Sequence, residues 1–348
     1  MYFCNRVIIG RFQKHSPFYC LCDCALGVKK MVKSDAQQKI KSDVQKRLNK
    51  YGYIFTLPFV IIFLIFNLWP TIYTFLLSFG DLRGLKTDFN IIGVANFAKL
   101  ISDRYFWGAV GNTFIIWGLN FAPQLGLALL FAVWLTNTKY TLRGKNLFRA
   151  LFYMPNLLTA TSVAILFRSL FAYPVGPVNQ FLLNIGIVSE AFNFFRSVPA
   201  SRIIVAFIQW WMWCGQTLIL LMAAITAISP SLYESAVIDG ANEWQCTWKI
   251  TVPLLRPMMF YLLITSMVGG MQMFDIPFLI TGMHGEPDFK IRTSAVYMYN
   301  IAFQGRNDYS YAAAISIGMF IITIILALLI NYMIKERAPK SYRKGVAK

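Results

Sequence analysis

The chain has 348 residues, of which 57% are hydrophobic and 14% charged, with a formal net charge of +18. An average soluble domain is about 45–50% apolar and about 25% charged, so this composition excludes an ordinary soluble protein and points to a membrane. The positive charge collects at the two ends and in one short loop, which excludes a basic duplex-binding face and, with it, a nucleic-acid partner.

Residues 1–50 read as a cytoplasmic basic tail. Its first part carries Cys4, Cys20, Cys22 and Cys24. The Cys-x-Cys-x-Cys run lacks the paired spacing of a zinc site, so no metal is expected there. No apolar run in residues 1–30 suits a signal peptide, and Met31 reads as an alternative start. Residues 29–50 carry eight Lys or Arg. The pattern from Ala36 to Leu48 is mildly amphipathic and reads as an interfacial helix on the bilayer surface.

Crossing the hydrocarbon core takes about 20 apolar residues. Six stretches qualify: Tyr53 to Phe79, interrupted by Pro70; Trp107 to Leu135; Ala150 to Phe171; Ile203 to Ile228; Met258 to Ile280; and Tyr311 to Ile334. Tyr51, Tyr53, Trp107 and Tyr332 sit near span ends, where amphipathic rings favour the interface. The loop after span two holds Lys139, Arg143, Lys145 and Arg149 and no acid, and the tail 336–348 is again basic. The positive-inside rule puts both termini and that loop in the cytoplasm, and loops 80–106, 172–202 and 281–310 outside. The expected fold class is an all-α integral membrane protein with six transmembrane helices over residues 51–335.

The cytoplasmic segment Ser229 to Pro257 has a helical grammar of its own. Ser231 and Glu234 have the spacing of a capping box. Asp239-Gly240 should end this short helix, because glycine tolerates positive φ and close backbone approach. Trp244 and Trp248 follow on one face of a second helix, which Pro253 and Pro257 should stop. Apolar and aromatic side chains presented in water imply a partner.

The run Glu234-Ser235-Ala236, three residues, Gly240, nine residues, Ile250-Thr251-Val252-Pro253 closely resembles the EAA loop of bacterial ABC-importer permeases. It departs from that pattern at Ser235 and Val252. Phe148 to Pro155, Asn112-Thr113 and Phe274-Asp275-Ile276-Pro277 are similar to sugar-type members of the same family. The resemblance covers roughly residues 50–335 and implies a type I importer fold of the maltose type. It also implies a second homologous permease, two copies of a cytoplasmic ABC ATPase and an extracytoplasmic solute-binding protein as partners, in a bacterial cell membrane. Through it Glu234, Ser235, Ala236, Asp239, Gly240, Ile250 and Pro253 are expected to contact the ATPase; otherwise Glu234 only caps its own helix.

The chain lacks a phosphate-binding P-loop, so ATP hydrolysis is expected of a separate subunit and neither catalytic residues nor cofactor are expected here. Polar residues inside spans are costly against lipid and should face protein or water. Gln209, Gln216 and Thr217 in span four, with Trp213 beside them, and Gln272 and Asp275 in span five are the cargo-path candidates. Asn120 and Gln124 in span two read as much as helix–helix glue, Asn120 more so. Amides, a carboxylate and flat aromatic faces suit a carbohydrate. An ion-gradient-driven transporter and a permease for a polyol or glycerol phosphate stay open as alternatives.

Overall fold

A computed structural model describes residues 51–84, 89–136, 144–304 and 307–335. The expected interfacial helix, the Cys20–Cys24 run and both basic tails lie outside the described residues. The described chain is helical, with two isolated backbone bridges, Gly80 to Ile91 and Arg83 to Asp308. It divides into two units, residues 1–72 and 73–348.

Helix α1, Tyr51–Ser78, starts in the first unit and ends in the second. Pro70 does not interrupt it. A π-helical turn over Leu64–Leu68 precedes the proline, and the Trp69 N–H bonds five residues back to the Leu64 carbonyl. A π turn inserts one residue into the helix and re-registers the backbone around a position that lacks an N–H.

In the second unit, α2 (Ala95–Ser102) leads into α3 (Arg104–Thr136), 33 residues long with Pro123 inside. Span three is two pieces: α4 (Lys145–Tyr153, extended by a 3-10 turn to Leu157) and α5 (Ala160–Leu170), bent by 93°. The break falls at Leu158 and Thr159, where Thr159 is extended and caps α5 by accepting from the Ser162 N–H at 3.3 Å. The single span expected from Ala150 to Phe171 is therefore corrected to a broken one. An outer helix α6 (Pro177–Asn184) precedes α7 (Val198–Thr226).

The segment after α7 forms α8 (Pro230–Ile238) and α9 (Glu243–Leu254). Next comes α10 (Arg256–Met271), bent 59° from α9. Span five was expected to continue to Ile280. It ends at Met271, and after the non-helical Gln272–Phe274 a separate short helix α11 (Asp275–Thr281) begins. Helices α12 (Ser294–Phe303) and α13 (Tyr309–Lys335) complete the chain. Among the described residues four helices are long and apolar enough to cross a membrane, and there are six if each of the two bent pairs is one span.

Helices α3 and α7 pack along much of their length and carry the core. Ile116, Ile204, Ile208 and Ile276 fill one buried cluster, and Ala128, Ala132, Leu218 and Leu221 another. Small residues let helices approach closely where lipid supplies no hydrophobic drive for association. The closest approach is at Gly215 of α7, where a Cβ would stand 2.1 Å from the Phe152 carbonyl oxygen of α4.

Candidate functional site

A cleft of about 490 Å3 opens between α3, α7 and α10. Each helix contributes a stripe at helical spacing: Trp117, Asn120, Phe121 and Gln124 from α3, and Gln209, Met212, Trp213, Gln216, Thr217 and Leu220 from α7. Steps of three and four residues keep side chains on one helix face. Helix α10 adds Tyr261, Thr265, Ser266 and Gly270, and the break after it adds Gln272, Phe274 and Asp275. A Cβ at Gly270 would stand 2.5 Å from the Trp117 ring, so glycine there makes room for the indole.

All six cargo-path candidates, Gln209, Trp213, Gln216, Thr217, Gln272 and Asp275, line this one cleft. The geometry of the last two is corrected. They do not share a helix face; Gln272 follows the end of α10 in the non-helical break, and Asp275 is the first residue of α11. Gln216, Gln272 and Asp275 are exposed to the cleft, and Trp213 is 46% exposed. Thr217 is buried and serves packing, since its hydroxyl accepts from Gln124 Nε2 at 2.7 Å and ties α3 to α7. Asn120, read from the sequence more as glue, also lines the cleft, and its buried Oδ1 has no partner among the described residues. Trp117 Nε1 donates to Ser266 Oγ at 3.0 Å. The signal for Trp117 and Asn120 was the stripe itself: 117, 120, 121 and 124 repeat the spacing of the α7 stripe.

The segment 289–294 is stitched to α3, to α7 and to the non-helical break after α10. Asn112 Nδ2 donates to the carbonyls of Phe289 and Arg292, and Arg202 Nη2 donates to Asn112 Oδ1. Thr293 Oγ1 donates to the Met273 carbonyl, and the Ser294 N–H donates to Thr113 Oγ1. Arg292 is buried and stacks its guanidinium over the rings of Phe289 and Tyr297 at 4.7 and 4.8 Å. Burial lowers its pKa, opposed by nearby Tyr297 and Asp103. Asp103 accepts hydrogen bonds of 2.5 Å from both Tyr297 and Tyr311 hydroxyls. Burial raises its pKa, but these donors outweigh that and hold it below the ordinary carboxylate value.

The segment 229–257 is a second, separate feature. Pro230 starts α8, so the cap falls on Ser229, and the third helical residue is Leu232. The expected Ser231–Glu234 capping box is thereby corrected: Ser231 already lies inside the helix, because proline takes the first helical position and leaves the cap at Ser229, two residues upstream of Ser231. A full capping box forms instead at Asn242 and Gln245, at the start of α9. Gly240 has φ +79°, Gly240 N–H bonds to the Val237 carbonyl, and Ala241 N–H bonds to that of Ala236. This is a Schellman ending, which puts the residue after the C-cap in the left-handed region that favours glycine. Tyr233 and Thr251 hydroxyls lie 2.9 Å apart and clip α8 to α9. Pro253 does not stop α9, which runs to Leu254 after a π turn over Thr247–Thr251; the chain bends only at Leu255.

Glu234, Ser235, Asp239 and Gly240 are exposed, and Ala236, Ile250 and Pro253 are partly buried. Apolar side chains are exposed on this pair, with Ile238 at 85% and Trp244 at 71%, and the rings of Trp244 and Trp248 meet edge to face at 5.4 Å.

A broken-span helical fold with an inner cleft and a projecting helix–glycine–helix element defines a membrane transport permease. The family of binding-protein-dependent transport system inner membrane components matches residues 124–338, and the chain belongs to it. The lactose transport system permease protein LacF of Rhizobium radiobacter is 31% identical over 297 residues, covering 85% of this chain and 98% of that protein. The multiple sugar-binding transport system permease protein MsmF of Streptococcus mutans is 30% identical, covering 82% of this chain and 96% of its own. A bacterial ABC transporter that imports the acidic polysaccharide alginate contains a chain superposing with TM-score 0.72 at 25% identity, over 86% of this chain and all of that one. A chain of a bacterial alginate ABC transporter in complex with an alginate pentasaccharide-bound periplasmic protein superposes with TM-score 0.70 at 26% identity, over 84% of this chain and 96% of that one. Membership decides against the ion-gradient-driven alternative, and the chain is a multi-pass membrane permease of an ABC importer.

Proposed function

We propose that this permease carries a sugar or oligosaccharide through the α3–α7–α10 cleft, handed over by an extracytoplasmic solute-binding protein. It pairs with a second homologous permease, and two copies of a cytoplasmic ABC ATPase drive it through the segment 229–257. Residues 51–335 form the permease domain in a bacterial cell membrane, with both basic tails, 1–50 and 336–348, in the cytoplasm. ATP hydrolysis belongs to the partner subunit.

One observation carries the reading. Exposed amides of Gln216 and Gln272, the Asp275 carboxylate and the half-exposed Trp213 face a common space. Sugar hydroxyls take amide and carboxylate hydrogen bonds, and sugar rings lie on aromatic faces. The relatives' names for lactose and multiple-sugar transport support the same class. The test is uptake of a radiolabelled panel of neutral oligosaccharides, polyols and glycerol phosphate into proteoliposomes holding the assembled importer and its binding protein. Sugars are expected to enter, and Gln216→Ala with Gln272→Ala should cut that uptake about tenfold or more, the equivalent of one or two lost hydrogen bonds. Uptake of glycerol phosphate or a polyol alone would replace the sugar reading, and full sugar uptake by the double variant would remove the cleft from the path.

A further inference from the structure

Saccharides are neutral, acidic as uronates or phosphates, or basic as amino sugars, and hydrogen-bonding groups in the cleft do not by themselves choose among them. Its charge does. Among the described residues that line the cleft, Asp275 is the one charged side chain. It is exposed to the cleft and takes part in no ion pair among the described residues. The remaining polar lining is amide and hydroxyl, as in Gln209, Gln216, Gln272, Tyr261 and Thr265. The three helices that build the cleft carry one cation each, Arg104, Arg202 and Arg256, all in their first two turns. None of the three lines the cleft, and Arg202 is turned to Asn112 and the Lys290 carbonyl.

We propose that the cleft admits uncharged saccharides and rejects uronates and sugar phosphates, and that Asp275 is the residue that sets this selection. The proposal rests on the sugar reading of the cleft given above. An anionic cargo that leaves water for a site within the membrane loses its hydration, and a fixed cation has to replace it. Pores that pass anions and phosphates supply Lys or Arg for this purpose. This cleft supplies a carboxylate instead, and between low-dielectric walls like charges repel far more strongly than in water. Amides and hydroxyls both donate and accept, which matches the hydroxyls of an uncharged sugar. Such a sugar brings no charge for Asp275 to oppose. Rejecting a wrong partner through a placed like charge is a general route to specificity. An amino sugar is the converse case, because its ammonium pairs with Asp275.

The test is saturation-transfer NMR on the assembled importer in lipid nanodiscs at neutral pH, without its binding protein, so that the membrane path alone selects. The probes are lactose, maltotriose and raffinose, each offered in a mixture with its uronate, made by oxidising a primary alcohol, and its 6-amino derivative. The expected result is transfer to the neutral and amino forms of at least one sugar, and about tenfold less to its uronate. Gln216→Ala with Gln272→Ala should weaken every form, which places the signal in the cleft. Asp275→Asn should raise the uronate to the level of the neutral form and lower the amino form. Gln272→Lys, which keeps Asp275 and adds a cation to the same lining, should also admit the uronate, and it carries the test alone if Asp275→Asn fails to assemble. A wild type that binds uronate as well as the neutral form overturns the proposal and leaves the sugar reading standing. So does a discrimination unchanged in Asp275→Asn and Gln272→Lys. A signal undiminished in the double alanine variant, or silence from every probe, overturns the proposal together with the sugar reading of the cleft.

Discussion

Arg202 of α7 donates from Nη2 to Oδ1 of Asn112 on α3 at 2.8 Å, and the same Asn112 amide donates from Nδ2 to the carbonyls of Phe289 and Arg292 at 2.8 and 3.2 Å. One side chain thus joins two spans to the segment between α11 and α12, at the end of the cleft away from α8 and α9. Arg202 reinforces the tie through Nε, which donates to the Lys290 carbonyl. Asn112→Ala removes three hydrogen bonds and leaves two carbonyls without that donor. The expected cost is about 1–3 kcal/mol, read as a lower melting temperature in detergent. Hydrogen exchange should rise in 289–294 and not in α8 or α9. Unchanged protection of 289–294 would mean that Asn112 does not hold this segment.

Asp103 gives a pH prediction. Burial raises its pKa, but the Tyr297 and Tyr311 hydroxyls together with the Tyr105 and Phe106 N–H groups hold it below the ordinary carboxylate value. A depressed folded pKa stabilises the protein fully above the unfolded value, and that contribution is lost as pH falls through the folded value. The wild type should keep this stabilisation at neutral pH and lose it only in strong acid. Asp103→Asn should melt lower at pH 7, by the loss of two charge-assisted bonds of about 1.5–3 kcal/mol each, and the gap to wild type should close in acid. A gap that is constant with pH would assign the effect to shape rather than to charge.

Gly215 predicts a packing defect. A Cβ there meets the Phe152 carbonyl oxygen and carbon at 2.1 and 2.5 Å, both backbone atoms with no room to yield. Gly215→Ala should separate α7 from α4 at a cost of about 1–3 kcal/mol or more, visible as reduced abundance of the folded permease. Wild-type abundance and melting would show that α4 shifts without cost.

Gly240 predicts an uncoupled transporter. Its φ of +79° suits glycine, and beyond its two chain neighbours no atom of the described residues lies within 4 Å of where a Cβ would be. Gly240→Val therefore strains only the turn, by about 1–2 kcal/mol, and leaves the spans alone. Insertion and abundance should be normal, while ATPase co-purification and cargo-stimulated hydrolysis fall. Glu234→Ala should act in the same direction more mildly. Full docking and full stimulated hydrolysis in Gly240→Val would show that 229–257 is not the lever.

The positions of the apolar spans and the helix–glycine–helix element were legible in the sequence, because each rests on a local property. Hydropathy reports how a run of residues partitions between water and lipid, and Asp239-Gly240 ends a helix by its own backbone preferences. The family followed from the same local text, Glu234 to Pro253. Direction and assembly were not local. The 93° break at Leu158 and Thr159 lies inside one continuous apolar run, so partition energy does not mark it. Pro70 was read as an interruption and Pro253 as a stop, yet π turns ahead of each re-register the helix and carry it through. The cleft brings Gln124 to Thr217, 93 residues apart, and the clamp brings Asn112 to Arg292, 180 apart. Helical spacing showed that each stripe faces something polar. Only the packing of α3 against α7 and α10 decided that the stripes face one another, because a side-chain pattern fixes which face of a helix is polar and leaves open which neighbour that face meets.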